Sequence, residues 1–198
     1  AYNVGEATIT LTMQNNKVVS KKITGQLVSM KSMPIDEEYM NYFADDIRRL
    51  QEYTTKKIGT FESSMNMGDA FFGSSAFIDF IHNNQMKTTG ADISFTGPWA
   101  INTTINAGTV TTADMFNLYK FENTLYVIQM TGAEIKNYLE MSYGQWTNQM
   151  KSSDDHILLF DDKNNERNNG FKNFYGNFDS ACGIDYTVDV TKPEGQKV

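Results

Sequence analysis

The 198-residue sequence has few of the residues that build disulfides, metal centres and phosphate clamps. It contains one cysteine, Cys182, two histidines, His82 and His156, and three arginines. A single cysteine excludes a disulfide within the chain and a cysteine-based zinc finger. Two isolated histidines argue against a two-metal hydrolase centre, because such centres use several histidine and aspartate ligands. Three arginines offer few guanidinium groups for binding phosphate.

Long hydrophobic runs and basic charge are also lacking. No run of about 18 apolar residues occurs, so the sequence predicts no transmembrane segment. The net charge is −7 and the pI is about 4.8, so we expect no binding to polymeric nucleic acid. A small nucleotide remains compatible with this charge, because one pocket can differ from the overall field.

The composition is that of a globular protein. Hydrophobic residues make up 40% of the chain and aromatic residues 13%, which is too apolar for a disordered polypeptide. The length suits one sizeable domain, or a large domain with a small appendage.

The first part of the chain predicts a hairpin and a helix. Residues 7–13 alternate apolar and polar side chains, as in a half-buried strand, and 18–30 give the return strand after an Asn-rich turn. Asp36 is a predicted N-cap for one helix over 37–53, which carries a single apolar stripe.

Capping residues and periodicity predict the elements that follow. Asn66 is expected to cap a buried helix that His82 ends, with a structural role for the histidine. Thr131 and Glu134 have the spacing of a capping box. The other elements are a strand over 57–61, a helix over 113–118 capped by Thr112, a strand over 124–129 and a helix from Thr131 through Met141.

No segment of this chain predicts catalysis or metal binding by itself. The acidic cluster at 161–166 lacks the spacing and terminal glutamate of a calcium loop, so it predicts a solvated turn. The serines at 74 and 75 have no positioned base in the sequence. We therefore assign no catalytic residue and no metal ligand.

A series of short motifs is the most informative part of the sequence. They are Thr-Gly-Ala-Asp-Ile-Ser-Phe at 89–95, Ala-Gly-Thr-Val-Thr at 107–111, Phe-Glu-Asn-Thr-Leu at 121–125 and Thr-Gly-Ala-Glu-Ile-Lys at 131–136. In order and spacing they resemble the C-terminal, substrate-binding domain of the 5′-nucleotidase family, which includes UDP-sugar hydrolases and 2′,3′-cyclic-nucleotide phosphodiesterases. Matching pieces upstream and downstream extend the resemblance over roughly residues 57–198.

The resemblance implies a fold and a domain order. The expected fold class is α+β, a mixed β-sheet with packed helices, preceded by a β-hairpin and a linker helix. Residues 1–33 resemble the last hairpin of a metallophosphoesterase domain, and 34–55 resemble the connecting helix. Residues 56–198 correspond to the C-terminal domain, which we expect to be truncated at its C-terminal end.

The resemblance also implies a ligand, partners and a location. The ligand would be a nucleotide or nucleoside, and the reaction hydrolysis of nucleotide phosphate esters in nucleotide catabolism. The metal-ligand motifs of the metallophosphoesterase domain are absent from the sequence. We therefore expect no cofactor in this chain and two divalent metals in such a domain, in cis or as a separate chain. The chain alone would be inactive, and the location periplasmic or extracellular, with or without a lipid anchor.

Five substrate-binding candidates follow from the resemblance. Phe121 falls on the family's first base-stacking phenylalanine, and Asn123 on the asparagine that follows it. Gly97 and Asn102 replace the first asparagine and the phosphate-binding arginine of the family's Asn-Gly-Gly-Gly-Ile-Arg loop. Trp99, in the same loop, offers a large stacking surface. A packing role for Phe121 and Trp99, and a turn role for Asn123, stay open as alternatives.

The second phosphate arginine of the family is also missing. Residues 61–64, Phe-Glu-Ser-Ser, stand where the resemblance places it. Asparagine and serine cannot replace the paired, charge-assisted hydrogen bonds of a guanidinium. The sequence therefore leaves two alternatives to an enzyme region, a binding module without chemistry and a module that docks a partner protein. Trp146 offers a further stacking surface near the pocket, with packing in the core as the commoner role of a tryptophan.

Overall fold

The computed structural model describes residues 2–99, 101–161 and 168–198. The chain divides into two compact units, Ala1–Gln51 and Glu52–Val198. The domain limits predicted at residues 33 and 55 stay predictions. The predicted solvated turn at 161–166 lies outside the described residues, apart from Asp161.

The first unit opens with the predicted hairpin. Strands β1, Asn3–Gln14, and β2, Lys17–Ser29, pair antiparallel. Asn15 and Asn16 form the turn with φ of 49° and 59°, the left-handed values that a two-residue hairpin loop requires. The expected half-burial of the strands is wrong, because every residue of β1 is exposed in this two-stranded ribbon.

Two short helices replace the single helix predicted over 37–53. Helix α1 is Glu37–Tyr42 and helix α2 is Ala44–Thr54. Asp36 is the predicted N-cap, with its Oδ1 accepting from the backbone N–H of Tyr39 at 2.9 Å. Phe43 breaks the helix with a ψ of 9°, and its ring packs against the tyrosine rings of α1.

The second unit contains short strands and three helices in the described ranges. The elements are β3 Lys57–Phe61, β4 Met65–Asn66, α3 Ala76–Thr89, β5 Ser94–Thr96, β6 Thr104–Ile105, β7 Gly108–Thr111, α4 Thr112–Leu118, α5 Gly132–Trp146 and β8 Ser180–Cys182. The strands pair antiparallel as β3 with β7, β4 with β6, and β5 with β8. The α+β class is confirmed. The described ranges contain separate strand pairs instead of the expected mixed sheet, because these strands are only two to five residues long.

The helix predicted from Asn66 is divided by a glycine. Asn66 caps as predicted, with its Oδ1 accepting from the N–H of Gly68 at 2.7 Å, but only a 3-10 turn follows. Gly73 has a φ of +139°, which no helix accommodates, and Ser75 then caps α3.

His82 lies inside α3 and does not end the helix as predicted. Gly90, with a φ of 73°, provides the left-handed C-cap instead. The His82 side chain is 1% exposed, and its ring nitrogens lie 3.0 Å from Ser94 Oγ and 3.2 Å from Ser180 Oγ. The ring therefore ties α3 to both strands of the β5–β8 pair.

The sequence patterns at the next two helices are mostly correct. Thr131 and Glu134 form the predicted capping box, and α5 continues past Met141 to Trp146. Helix α4 ends at Leu118 as predicted but begins one residue earlier, at Thr112. Its cap is Thr111, whose N–H donates to Asp114 Oδ2 at 2.7 Å. No helix in the described ranges is long and apolar enough to cross a membrane.

The strand predicted over 124–129 is absent. The segment is irregular and exposed, including its large apolar side chains. No strand of the described part of the chain pairs with it, so its β-branched and aromatic residues have no ladder to join.

Two buried clusters form the core of the second unit. One lies against α5 and β8, and the other lies between α3, α4 and the β4–β6 pair. The first consists of Phe71, Leu139, Tyr143, Trp146, Leu158, Phe171 and Phe178, and the second of Met65, Met67, Phe77, Ile81, Ile105 and Leu118.

Helix α5 also fixes the end of the chain. The carboxylate of Glu140 accepts from the backbone N–H groups of Lys197 and Val198, each at 2.8 Å. The buried Lys197 Nζ donates to the carbonyls of Thr147 at 3.2 Å and Asn148 at 2.8 Å. Burial lowers the pKa of Lys197, but the ammonium here satisfies carbonyls at the C-terminal end of the helix.

Candidate functional site

Three aromatic rings meet at the surface of the second unit. Trp99 lies 5.2 Å from Phe121 and 6.3 Å from Tyr119, measured between ring centroids, and Tyr119 lies 6.1 Å from Phe121. All three pairs are edge-on or strongly tilted, and Phe121 is 40% exposed. We call Trp99, Tyr119 and Phe121 the surface aromatic cluster.

Two segments bring this cluster together. Trp99 belongs to the loop that follows β5, and Tyr119 is the first residue after α4. Tyr119 has extended backbone angles, φ −152° and ψ 102°. Phe121 follows two residues later, the spacing that places side chains on one side of an extended chain. Tyr119 was not predicted as a site residue, although this spacing is visible in the sequence.

Asn123 supports the cluster from the same segment. Its Nδ2 donates a hydrogen bond of 2.8 Å to the hydroxyl of Tyr119. The bond fixes the tyrosine ring and closes the 119–123 segment on itself. Of the five predicted site residues, Trp99, Phe121 and Asn123 are therefore linked through Tyr119.

Gly97 is buried, with its backbone close against the core. A Cβ at this position would lie only 2.4 Å from the carbonyl oxygen of Phe178, so no larger residue fits without moving backbone. Gly176 allows a similar approach, because a Cβ there would lie 2.8 Å from Cζ3 of Trp99. The two glycines thus set the position of the loop and of its indole ring.

Asn102 lies in the same loop but joins no described contact with the surface aromatic cluster. It is exposed and has a φ of 60°, a left-handed conformation that asparagine tolerates better than most residues. Its placement supports a turn, and its neutral side chain carries no charge for a phosphate.

A half-buried polar pair lies beside the loop. The hydroxyl of Tyr138 donates to Asp179 Oδ2, and Ser142 Oγ donates to the backbone carbonyl of Asp179 at 2.7 Å. Burial raises the pKa of the Asp179 carboxyl, while the bond from Tyr138 opposes that rise. Asp179 Oδ1 lies 3.2 Å from where a Gly97 Cβ would be, so the pair contacts the loop from the core side. Nothing in the sequence indicated this pairing of distant residues.

Trp146 has the packing role and not the stacking role. It is 1% exposed and stacked between Tyr143 at 5.2 Å and Phe178 at 5.6 Å. Phe71 contacts it edge-on at 5.8 Å. The indole is enclosed by core rings, so it offers no surface for a ligand.

The segments expected to bind phosphate contain no guanidinium. Ser64 is the last residue of the 61–64 segment, where the resemblance places the second arginine, and its Oγ accepts a hydrogen bond from the N–H of Ala107 at 2.9 Å. Lys120 is the charge beside the cluster, with its Nζ 5.3 Å from the ring centroid of Phe121.

The resemblance assigns the two divalent metals to a metallophosphoesterase domain and not to the residues of this chain. In the described ranges, no three histidine, cysteine, aspartate or glutamate side chains are grouped so as to hold a metal ion.

A cleft of about 530 Å³ lies at a different place on the surface. It is lined by Asn148, His156, Leu158, Leu159, Phe160, Asp161 and Lys172. None of these residues belongs to the surface aromatic cluster, so the cleft and the predicted site are separate.

Comparison with known sequences assigns the second unit to a family. The family model described as the 5′-nucleotidase C-terminal domain matches residues 54–198. The trifunctional nucleotide phosphoesterase protein YfkN of Bacillus subtilis is 29% identical over 89% of this chain and 13% of its own length. The 2′,3′-cyclic-nucleotide 2′-phosphodiesterase/3′-nucleotidase of Haemophilus influenzae is 35% identical over 46% of this chain and 13% of its own length.

Solved structures show the same fold. A putative 5′-nucleotidase from Staphylococcus aureus, in complex with alpha-ketoglutarate, matches 96% of this chain with a TM-score of 0.66 and 21% identity. A 5′-nucleotidase precursor from Thermus thermophilus matches 99% with a TM-score of 0.59 and 18% identity. The chain spans about a third of these two chains, 35% and 34%. Fold, motifs and family model agree, and the chain belongs to the 5′-nucleotidase C-terminal domain family.

Proposed function

We propose that this chain is the nucleotide- or nucleoside-binding region of a nucleotide phosphoesterase, with the surface aromatic cluster as the base-binding site. The observation that carries the proposal is Phe121. It occupies the position that the resemblance assigns to base stacking, and it is 40% exposed beside Trp99. If Phe121 had a packing role instead, we would expect its ring to be buried.

The chemistry of the cluster suits a flat, weakly polar ligand. Stacking of a base on an aromatic ring contributes about 1–3 kcal/mol, and it tolerates different bases because each has a π-face. None of the three ring pairs in the cluster is a face-to-face stack, and Phe121 is exposed, so part of its ring is open to a base. The hydrogen bond from Asn123 to Tyr119 reduces the conformational freedom lost on binding.

The reaction itself is assigned to groups outside the described residues. The parent system would hydrolyse phosphate esters of nucleotides, with two divalent metals held by a metallophosphoesterase domain in cis or in a separate chain. This chain would bind and orient the nucleotide and be inactive alone. We also propose a periplasmic or extracellular location, with or without a lipid anchor, as the resemblance implies.

A binding module without chemistry is the second candidate. It is favoured by Asn102 and by the segment ending at Ser64, which stand where the resemblance places phosphate-binding arginines. A phosphohydrolase assay with added divalent metal separates the candidates. The enzyme proposal expects activity once a metallophosphoesterase domain is supplied, and the binding module expects none.

Calorimetric titration with adenosine tests the base-binding site. We expect Phe121→Ala to weaken adenosine binding about tenfold or more, because it removes the stacking surface. Phe116→Ala is the matched control, since Phe116 lies on α4 and is 49% exposed, and it should leave the affinity unchanged. Equal affinity of the wild type and Phe121→Ala would contradict the assignment. So would the absence of binding to adenosine, AMP and UDP-glucose.

A further inference from the structure

Lys120 is the single basic residue of the segments that form the site. Between residues 88 and 135 the sequence contains no other lysine, arginine or histidine. This stretch includes the whole 97–102 loop and the whole 119–123 segment. Any charge-assisted contact that these two segments make to an anion therefore comes from Lys120.

The position of the Lys120 ammonium places it beside the proposed base-binding ring. Its Nζ lies 5.3 Å from the Phe121 ring centroid, within the range of a cation–π contact. The residue is exposed, and in the described ranges no carboxylate oxygen lies within ion-pair distance of its nitrogen. The neighbouring Glu122 is the nearest acidic residue in sequence and would oppose an anion.

We propose that Lys120 determines the charge selectivity of the surface aromatic cluster, by contacting the phosphate of a nucleoside monophosphate whose base stacks on Phe121. This inference rests on the proposed function. Lys120 makes a single contact to the phosphate, in place of the two arginines that this chain lacks. The resulting site prefers AMP to adenosine, but only modestly.

The Lys120 side chain can make two alternative contacts, one to the Phe121 ring and one to a phosphate. In the structure the ammonium lies by the Phe121 ring, which is a weak, exposed contact. A stacking base takes that position, and the flexible four-carbon stem lets the ammonium move to the phosphate. Because a lysine is a point charge and not a planar fork, the contact adds charge without fixing the phosphate orientation.

Solvent exposure limits the size of the effect. An exposed pair of charges is worth little in water, so we expect AMP to bind about fivefold more tightly than adenosine at low ionic strength. The preference should fall as salt is added, because screening acts on exposed charges. Adenosine binding itself should not depend on salt.

Titration of the wild-type chain and three variants with AMP and with adenosine tests the inference. Lys120→Gln removes the charge, Lys120→Arg keeps it, and Lys87→Gln makes the same charge change at an exposed position in the last turn of α3. We expect the preference for AMP to disappear in Lys120→Gln only. Circular dichroism verifies that each variant is folded.

The outcomes separate this inference from the function on which it rests. A preference for AMP that persists in Lys120→Gln, or that Lys87→Gln removes equally, overturns the role of Lys120 while leaving base binding intact. Equal affinity of the wild type for AMP and adenosine also overturns it. Failure of both compounds to bind overturns the proposed function and the inference together.

Discussion

The chain has two tryptophans, and they lie in opposite environments. Trp146 is 1% exposed and stacks with Tyr143 and Phe178 at interplanar angles of 6° and 12°. Trp99 is half-buried and meets Tyr119 and Phe121 at 80° and 64°. Two core rings stack on Trp146, whereas in the surface aromatic cluster all three ring pairs meet edge-on.

This difference separates packing from binding. Face-to-face stacking inside the core buries the ring faces, and their contacts stabilise the fold. An edge-on contact at the surface holds the rings in place and covers less of a ring face than stacking does. The same residue type therefore serves the fold at position 146 and, by our proposal, the ligand at position 99.

The largest expected effect is the loss of the core tryptophan. Trp146→Ala should lower the free energy of unfolding by about 3–5 kcal/mol, because it leaves a large cavity among packed rings. Trp99→Ala, at a half-buried site, should lower it by less than about half as much and should weaken adenosine binding instead. Urea denaturation followed by circular dichroism measures the first quantity. Equal destabilisation by the two variants would remove the distinction between the environments.

A buried polar group gives the next largest effect. Burial lowers the pKa of His82 from its ordinary value of 6.5 to about 4. Between these pH values the unfolded chain binds more protons than the folded chain, so the free energy of unfolding decreases as the pH falls. The contribution of neutral His82 to the free energy of unfolding is fully present above pH 6.5. It is lost as the pH falls towards 4, and the whole loss is about 3 kcal/mol.

Denaturant titrations between pH 7 and pH 4 measure this loss. His82→Gln should flatten the pH dependence, even if it lowers stability at pH 7 by losing the bonds to Ser94 and Ser180. His156→Gln is the control, because His156 is exposed, and it should keep the wild-type dependence. The same slope in wild type and His82→Gln would show that His82 is not the titrating group.

Local sequence signals were sufficient for much of the fold. Alternation and paired asparagines gave the hairpin, and Asp36, Asn66 and Thr131 marked element starts because capping needs only neighbouring residues. The family resemblance gave the domain, and it placed Phe121 and Asn123 in the segment that the structure joins to Trp99.

Long-range contacts explain most of the errors. His82 was expected at a helix end, but its partner Ser180 is 98 positions away and cannot be read from helical pattern. Trp146 and Trp99 differ in surroundings and not in residue type, so composition could not separate core from surface. The strand predicted over 124–129 has the right residues but no pairing strand among those described.

The indole N–H signals of the two tryptophans provide the most direct test of the base-binding site. In a two-dimensional ¹⁵N–¹H NMR titration with adenosine, each tryptophan reports its own surroundings. We expect the Trp99 signal to shift in a saturable way, while the signal of the buried Trp146 stays in place. A Trp99 signal that does not move, or a Trp146 signal that moves as far, would contradict the assignment of the surface aromatic cluster as the ligand site.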